Sequence, residues 1–229
     1  MSNRRALGAL RERPPGQLQL DDGMDRVLAE VATSGFALVR GALDDDDRRQ
    51  LLAEATGERG RFLRVPARVN GVRQRADQLS LSVGDPRCPV VNGLARRLRD
   101  LLISCPDSHG QHRFDASQAR YMRYRGAAGG LGAHRDGMCY GLLVAVYSVV
   151  GSAEFSVLPD GDGHTLRMLV EPGDLLLLRA PGFDGEPDGR RRHAVGPPLS
   201  GDERVSLTLR MVGRHGVHRR TDRRSAKAG

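Results

Sequence analysis

In the stretch GAHRDG, residues 132–137, a histidine and an aspartate flank a single residue just ahead of a long apolar run. If the stretch is extended, alternate side chains share a face, so His134 and Asp136 point the same way, as two ligands of one metal ion must. The motif alone is weak, because a chain with seven histidines produces an H-x-D by chance about half the time. Support lies 57 residues beyond Asp136, where His193 stands in RRRHAVGPP, just before the last strand-like segment. His164, in the turn-rich DGDGH, reads as solvent-facing. Together His134, Asp136 and His193 make a two-histidine, one-carboxylate set, which leaves three positions open on an iron ion. Taken singly, His193 is as readily an ordinary core or surface histidine.

The segment RVSLTLRM adds a second kind of chemistry. Its even positions are Arg204, Ser206, Thr208 and Arg210, and its odd positions are Val205, Leu207, Leu209 and Met211. In a two-layer sandwich the polar face would be wet. In a barrel with a polar interior it faces a ligand, and a buried guanidinium then needs an anion, because an unpaired buried charge is very costly. A dicarboxylate supplies one partner for each arginine, with bidentate geometry available.

The elements that must hold these residues are legible in outline. Met24, Val27, Leu28 and Val31 recur at helical spacing before Gly35, predicting a short helix with a glycine end. FALVR reads as a strand, and Asp44–Asp47 then open a second helix, where carboxylates cap amides and meet the dipole rather than a metal. Residues 58–87 hold seven arginines and little periodicity, so they read as loop with a short strand at QLSLSV. A third helix carries Val91, Leu94, Leu98, Leu101 and Leu102 on one stripe. From about residue 118, short strands punctuated by Gly, Pro and Asp predict a mainly β fold with flanking helices.

At this point the chain resembles the Fe(II)/2-oxoglutarate-dependent oxygenases over residues 24–212. The match consists of the H-x-D, the distal histidine, an arginine eleven residues after it with a serine two further on, the helix–GFALVRG–helix opening and the PGDLLLLRAP segment. The resemblance implies a double-stranded β-helix, or jelly-roll barrel, with helical support over 23–105 and a jelly-roll core over about 115–212. It implies that His134, Asp136 and His193 bind Fe(II), that Arg204 with Ser206 holds the distal carboxylate of 2-oxoglutarate, and that O2 is the second co-substrate. Arg210 is similar to the second arginine of the Arg-x5-Arg arrangement in AlkB-type demethylases, near the metal-proximal carboxylate. Tyr124, ten residues before His134, matches a tyrosine often placed on 2-oxoglutarate. Met122 stands where AlkB-type chains carry an asparagine, which leaves Tyr121 as a competitor.

Substrate identity is less legible. Met138, Cys139, Tyr140, Arg179 and the arginine-rich 58–87 segment could line a mouth, and each also has an ordinary packing or surface reading. The favoured expectation is hydroxylation or oxidative cyclisation of a small molecule, a secondary metabolite, with succinate and CO2 as co-products. An AlkB-type nucleic-acid demethylase, a peptide or protein hydroxylase and a non-catalytic metal- and 2-oxoglutarate-binding module are the alternatives. A zinc hydrolase would leave Arg204 and Arg210 without a role.

The net charge of +8 speaks only weakly for nucleic acid, because residues 213–229 contribute +5 and residues 23–212 only +2. That basic tail and the 1–22 arm read as disordered ends. Three scattered cysteines suit reduced thiols in a cytoplasm, no apolar run is long enough for a membrane span, and the N-terminus lacks the apolar core of a secretory signal.

Overall fold

The computed structural model describes residues 17–19, 23–57, 61–199 and 203–213, so the expectations for most of the N-terminal arm and for residues 214–229 fall outside the described residues. The chain order begins β1 (Gln17–Gln19), α1 (Met24–Ser34), β2 (Phe36–Arg40), α2 (Asp45–Thr56), β3 (Leu63–Arg64), β4 (Arg68–Val69), β5 (Val72–Arg75), β6 (Asp77–Ser82) and α3 (Pro89–Ile103). It continues with β7 (Gln118–Arg125), β8 (Gly130–His134), β9 (Tyr140–Val150), β10 (Ala153–Leu158), β11 (Leu166–Val170), β12 (Leu175–Arg179), β13 (Arg192–Pro198) and β14 (Glu203–Val212).

Two sheets form. The major sheet has the order β1-β2-β12-β9-β14-β7-β6-β3, and the minor sheet β11-β10-β13-β8-β5-β4. Every pairing is antiparallel except β1 with β2. This is the expected mainly β jelly roll with flanking helices. No helix among the described residues is long and apolar enough to cross a membrane.

The major sheet is covered on both faces, which explains why its central strands read as continuous apolar runs instead of alternating. On β12, Leu175 and Leu177 join the helix-side core while Leu176 and Leu178 join the inter-sheet core. On β9, Leu143, Ala145, Tyr147 and Val149 face the helices and Val144 faces inward. The helices supply Val27, Leu28 and Val31 from α1, Leu51 and Ala55 from α2, and Val91, Leu94, Leu98 and Leu102 from α3.

Local signals end these helices as expected. Gly35 adopts the left-handed conformation (φ 82°) and its amide donates to Val31, a closure a β-carbon would strain. Asp44 caps α2 by accepting the Asp47 amide at 2.7 Å. Glu54 of α2 then accepts the Val90 and Val91 amides at the start of α3, tying two helices together through otherwise unpaired donors.

Two expectations are corrected, and one strand was not anticipated. Residues 61–82 are not loop with one strand: β3, β4 and β5 are present beside β6. Their side chains are largely exposed or half-buried, so backbone pairing at the sheet edges forms them without an apolar pattern to betray them. RRRHAVGPP contains a strand, β13, seated between β10 and β8. Its prolines fall at the strand end, where a missing amide is tolerated. Leu101, placed on the buried stripe of α3, is 41% exposed.

Candidate metal centre

β8 and β13 run antiparallel in the minor sheet with His134 and His193 as register partners. Pairing across the ladder brings the two imidazoles together, their ring centroids 4.3 Å apart. Asp136 follows two residues after the end of β8 and turns its carboxylate toward the same point. One ligand atom from each of His134, Asp136 and His193 lies within 4.8 Å of the others. Nε2 of His193 is 3.7 Å from Oδ2 of Asp136. Asp136 thus lies just beyond the strand, and shared strand alternation alone does not place it. Its backbone carbonyl accepts a hydrogen bond from Arg190, which holds the bend.

Both histidines are oriented from behind in the same way. Nδ1 of His134 lies 2.9 Å from the Gly132 carbonyl, and Nδ1 of His193 lies 3.1 Å from the Arg191 carbonyl. A carbonyl only accepts, so each Nδ1 carries the proton and each Nε2 presents a lone pair to the shared point. Burial holds the His193 imidazole below its ordinary value near 6.5, against an opposing pull from Asp136 and with help from His134. A neutral imidazole is the form that ligates a metal. Phe155 stacks against His193 at 5.4 Å and closes its other side.

The cluster opens into a cavity of about 500 Å3 between the two sheets. The alternation of β14 is realised as expected: Val205, Leu207 and Leu209 enter the helix-side core, and Arg204, Ser206, Thr208 and Arg210 line the cavity. Arg204 is 3% exposed. It donates to the Ser148 hydroxyl at 3.2 Å, has no carboxylate within ion-pair distance among the described residues, and keeps a buried Nε without a partner. Burial lowers its pKa, with the Tyr124 phenol opposing. A buried guanidinium without an anion costs several kcal/mol, and Arg204 borders the open cavity.

Of the two tyrosines, Tyr124 lines the cavity and Tyr121 does not. The Tyr124 ring lies 5.6 Å from the Arg204 guanidinium. Tyr121 points the other way, into the helix-side core, where its hydroxyl donates to Leu51. Burial raises the Tyr124 pKa, so the phenol stays a hydrogen-bond donor. Beside the His-Asp-His cluster, Arg210 donates to the Tyr140 hydroxyl at 3.2 Å, stacks over that ring, and lies 3.7 Å from Asp136.

Of the expected mouth residues, Tyr140 lines the cavity. Met138 does not; it is 54% exposed in the turn before β9. Arg179 is also elsewhere. It shares the parity of Leu175 and Leu177 on β12, so it faces the helix layer, where it donates to the carbonyls of Ala32 and Phe183. Among the cavity residues that were missed is Arg120. It sits on β7 at the parity of Met122 and Tyr124, and all three line the cavity. Assigning Tyr124 inward carried that information already.

No protein-family model matches this chain, and no curated protein matches it. Solved structures do. A prolyl hydroxylase from Trichoplax adhaerens, in complex with a hypoxia inducible factor oxygen degradation domain peptide, matches 82% of this chain and 88% of its own at 16% identity and TM-score 0.63. A prolyl-4-hydroxylase from Pseudomonas putida covers 82% and 98% at 19% identity and TM-score 0.59. The non-heme alpha-ketoglutarate dependent epimerase SnoN from nogalamycin biosynthesis covers 83% and 83% at 16% identity and TM-score 0.58. The chain therefore has the double-stranded β-helix fold of the Fe(II)/2-oxoglutarate-dependent oxygenases, with a His-Asp-His cluster in its barrel.

Proposed function

We propose that this protein is an Fe(II)/2-oxoglutarate-dependent oxygenase acting on a small molecule, a secondary metabolite. The observation that carries the reading is the presence, in one cavity, of a convergent His-Asp-His cluster and a buried arginine that lacks an anion. His134, Asp136 and His193 would hold the iron. Two neutral imidazoles and one carboxylate leave room for the bidentate end of a 2-oxo acid and for O2. Arg204, with Ser206 and the Tyr124 phenol beside it, would hold the distal carboxylate; Arg210 would face the proximal one. Iron held there would supply O2 activation coupled to decarboxylation of 2-oxoglutarate to succinate and CO2, with oxidation of a substrate C–H bond.

The chain's own part is placement and exclusion. The Gly132 and Arg191 carbonyls fix the imidazole rings, Arg190 fixes the backbone at Asp136, and the inter-sheet walls keep the reaction centre from bulk water. A small substrate is supported by the limited cavity volume, which the co-substrate must share. Likeness to the nogalamycin-biosynthesis epimerase points the same way, and the peptide-bound prolyl hydroxylase supplies the contrast to test against.

The decisive experiment is an anaerobic visible spectrum of metal-stripped protein to which Fe(II) and then 2-oxoglutarate are added. A weak charge-transfer band that needs both additions and is lost in His134→Ala is expected. Iron binding without the band would refute the Arg204 role and favour a binding module. Succinate release should then be stimulated by members of a small polar-metabolite panel; stimulation by peptides or oligonucleotides alone would overturn the substrate class.

A further inference from the structure

Three cavity arginines have a buried Nε without a partner: Arg120, Arg204 and Arg210. The oxygenase reading uses two. Arg120 forms no ion pair and no side-chain hydrogen bond among the described residues, a property it shares with no other arginine of the cavity wall. In the β7–β14 ladder, Tyr124 pairs with Arg204 whereas Arg120 pairs with Thr208, four residues along. That sets the α-carbons of the two arginines about 13 Å apart along the sheet. Arg120 lies at the end of the cavity occupied by Arg210, Tyr140 and Asp136, the end that holds the metal ligands. Arg204 and Arg210 together with a divalent metal outweigh Asp136 and a doubly charged co-substrate, so the cavity stays cationic even before Arg120 is counted.

We propose that the substrate carries an anionic oxygen group, a carboxylate in its simplest form, and that Arg120 binds it, so orienting the substrate next to the metal. The inference rests on the oxygenase reading and names its substrate class. A guanidinium fork matches a carboxylate in bidentate fashion, and a cation with no internal partner gains more from an incoming anion than one already paired. Burial and the like charge of Arg210 both disfavour the charged form of Arg120, an unfavourable position that a bound anion relieves. Arg120 is the position from which a carboxylate would fix which C–H bond faces the oxidant.

The test uses isothermal titration of the full chain loaded with Mn(II) and 2-oxoglutarate under anaerobic conditions. The probes are benzoate and 3-phenylpropionate, each against its primary amide. Wild type is expected to bind the acids at least roughly tenfold more tightly than the amides. Arg120→Gln should abolish that preference, Arg120→Lys should keep part of it, and 2-oxoglutarate affinity should change less than about twofold in either. The metal-free Arg120→Gln protein should melt no lower than wild type, because an unpaired charge has been removed.

The proposal is overturned if acids and amides bind alike, or if neither binds. It is also overturned if Arg120→Gln loses 2-oxoglutarate as Arg204→Gln does, which would assign Arg120 to the co-substrate. Loss of folding in both Arg120→Gln and Arg120→Met would make the guanidinium structural. A wild type that fails to bind 2-oxoglutarate yet keeps an Arg120-dependent preference for acids would sink the oxygenase reading and leave the anion seat standing.

Discussion

At the scale of single residues, the cavity is defined by groups whose needs the protein itself does not meet. Arg204 is the sharpest case, buried with the Ser148 hydroxyl as its only hydrogen-bond partner among the described residues. Replacing it by glutamine is expected to weaken 2-oxoglutarate binding by about ten- to a hundredfold, the worth of a charged hydrogen-bond pair, measurable by titration in the presence of Mn(II). The same change should leave the metal-free melting midpoint unchanged or higher, since an unpaired buried charge disappears. A lower midpoint would mean that the guanidinium is structural. His193 makes a pH prediction. Its folded value lies below 6.5 because of burial, so the unfolded chain binds the proton more readily. Its contribution to stability is present above about pH 6.5 and lost as pH falls from there through the folded value. Urea midpoints of the metal-free protein should therefore drop between pH 7.5 and pH 5.5, and drop less in His193→Asn.

At the scale of elements, two strands do most of the positioning, and they do it differently. β14 separates chemistry from packing by alternation. Leu207, fully buried on the helix side, should cost roughly 2–5 kcal/mol when cut to alanine, read by urea denaturation. Ser206→Ala, one residue away on the cavity face, should affect co-substrate affinity more than folding. The β8–β13 pair works by register instead. Gly130, at φ 150°, begins β8, and a β-carbon there would lie 2.9 Å from the Val195 carbonyl. Gly130→Ala is expected to push the two strands apart beside the His134–His193 pair and to weaken Mn(II) binding by several-fold or more, with a smaller loss of stability. Unchanged metal affinity would show that the Arg190 and carbonyl contacts alone hold the ligands.

At the scale of the whole molecule, the polar groups of the cavity are divided between the sheets. The His-Asp-His cluster belongs to the minor sheet and the turn after β8, whereas Arg204, Ser206, Thr208, Arg210, Arg120 and Tyr124 belong to the major sheet. A metal-chelated dicarboxylate would bridge the two. Mn(II) alone should raise the melting midpoint, 2-oxoglutarate alone should do little, and the two together should stabilise by more than the separate effects combined. At a hundredfold excess over Kd each saturating ligand adds about 2.7 kcal/mol, well within reach of a thermal scan. Simple additivity would argue against a shared, sheet-bridging complex.

The sequence by itself determined those features that depend on short periods and side-chain type. The three helices, the inward face of β14, the H-x-D and the demand of a buried arginine for an anion all follow from local patterns. The strands in residues 63–75 were illegible because edge pairing is a backbone affair and their side chains remain near solvent. β13 was hidden by its Gly-Pro-Pro end, and its identity as the partner of β8 is a long-range fact. Only the tertiary structure decided that His193 faces His134, that Tyr124 and not Tyr121 enters the cavity, that Arg179 turns to the helices, and that Arg120 has no ion pair or side-chain hydrogen bond among the described residues. Each depends on which sheet face lies against which layer, and that is settled by packing between segments far apart in the chain.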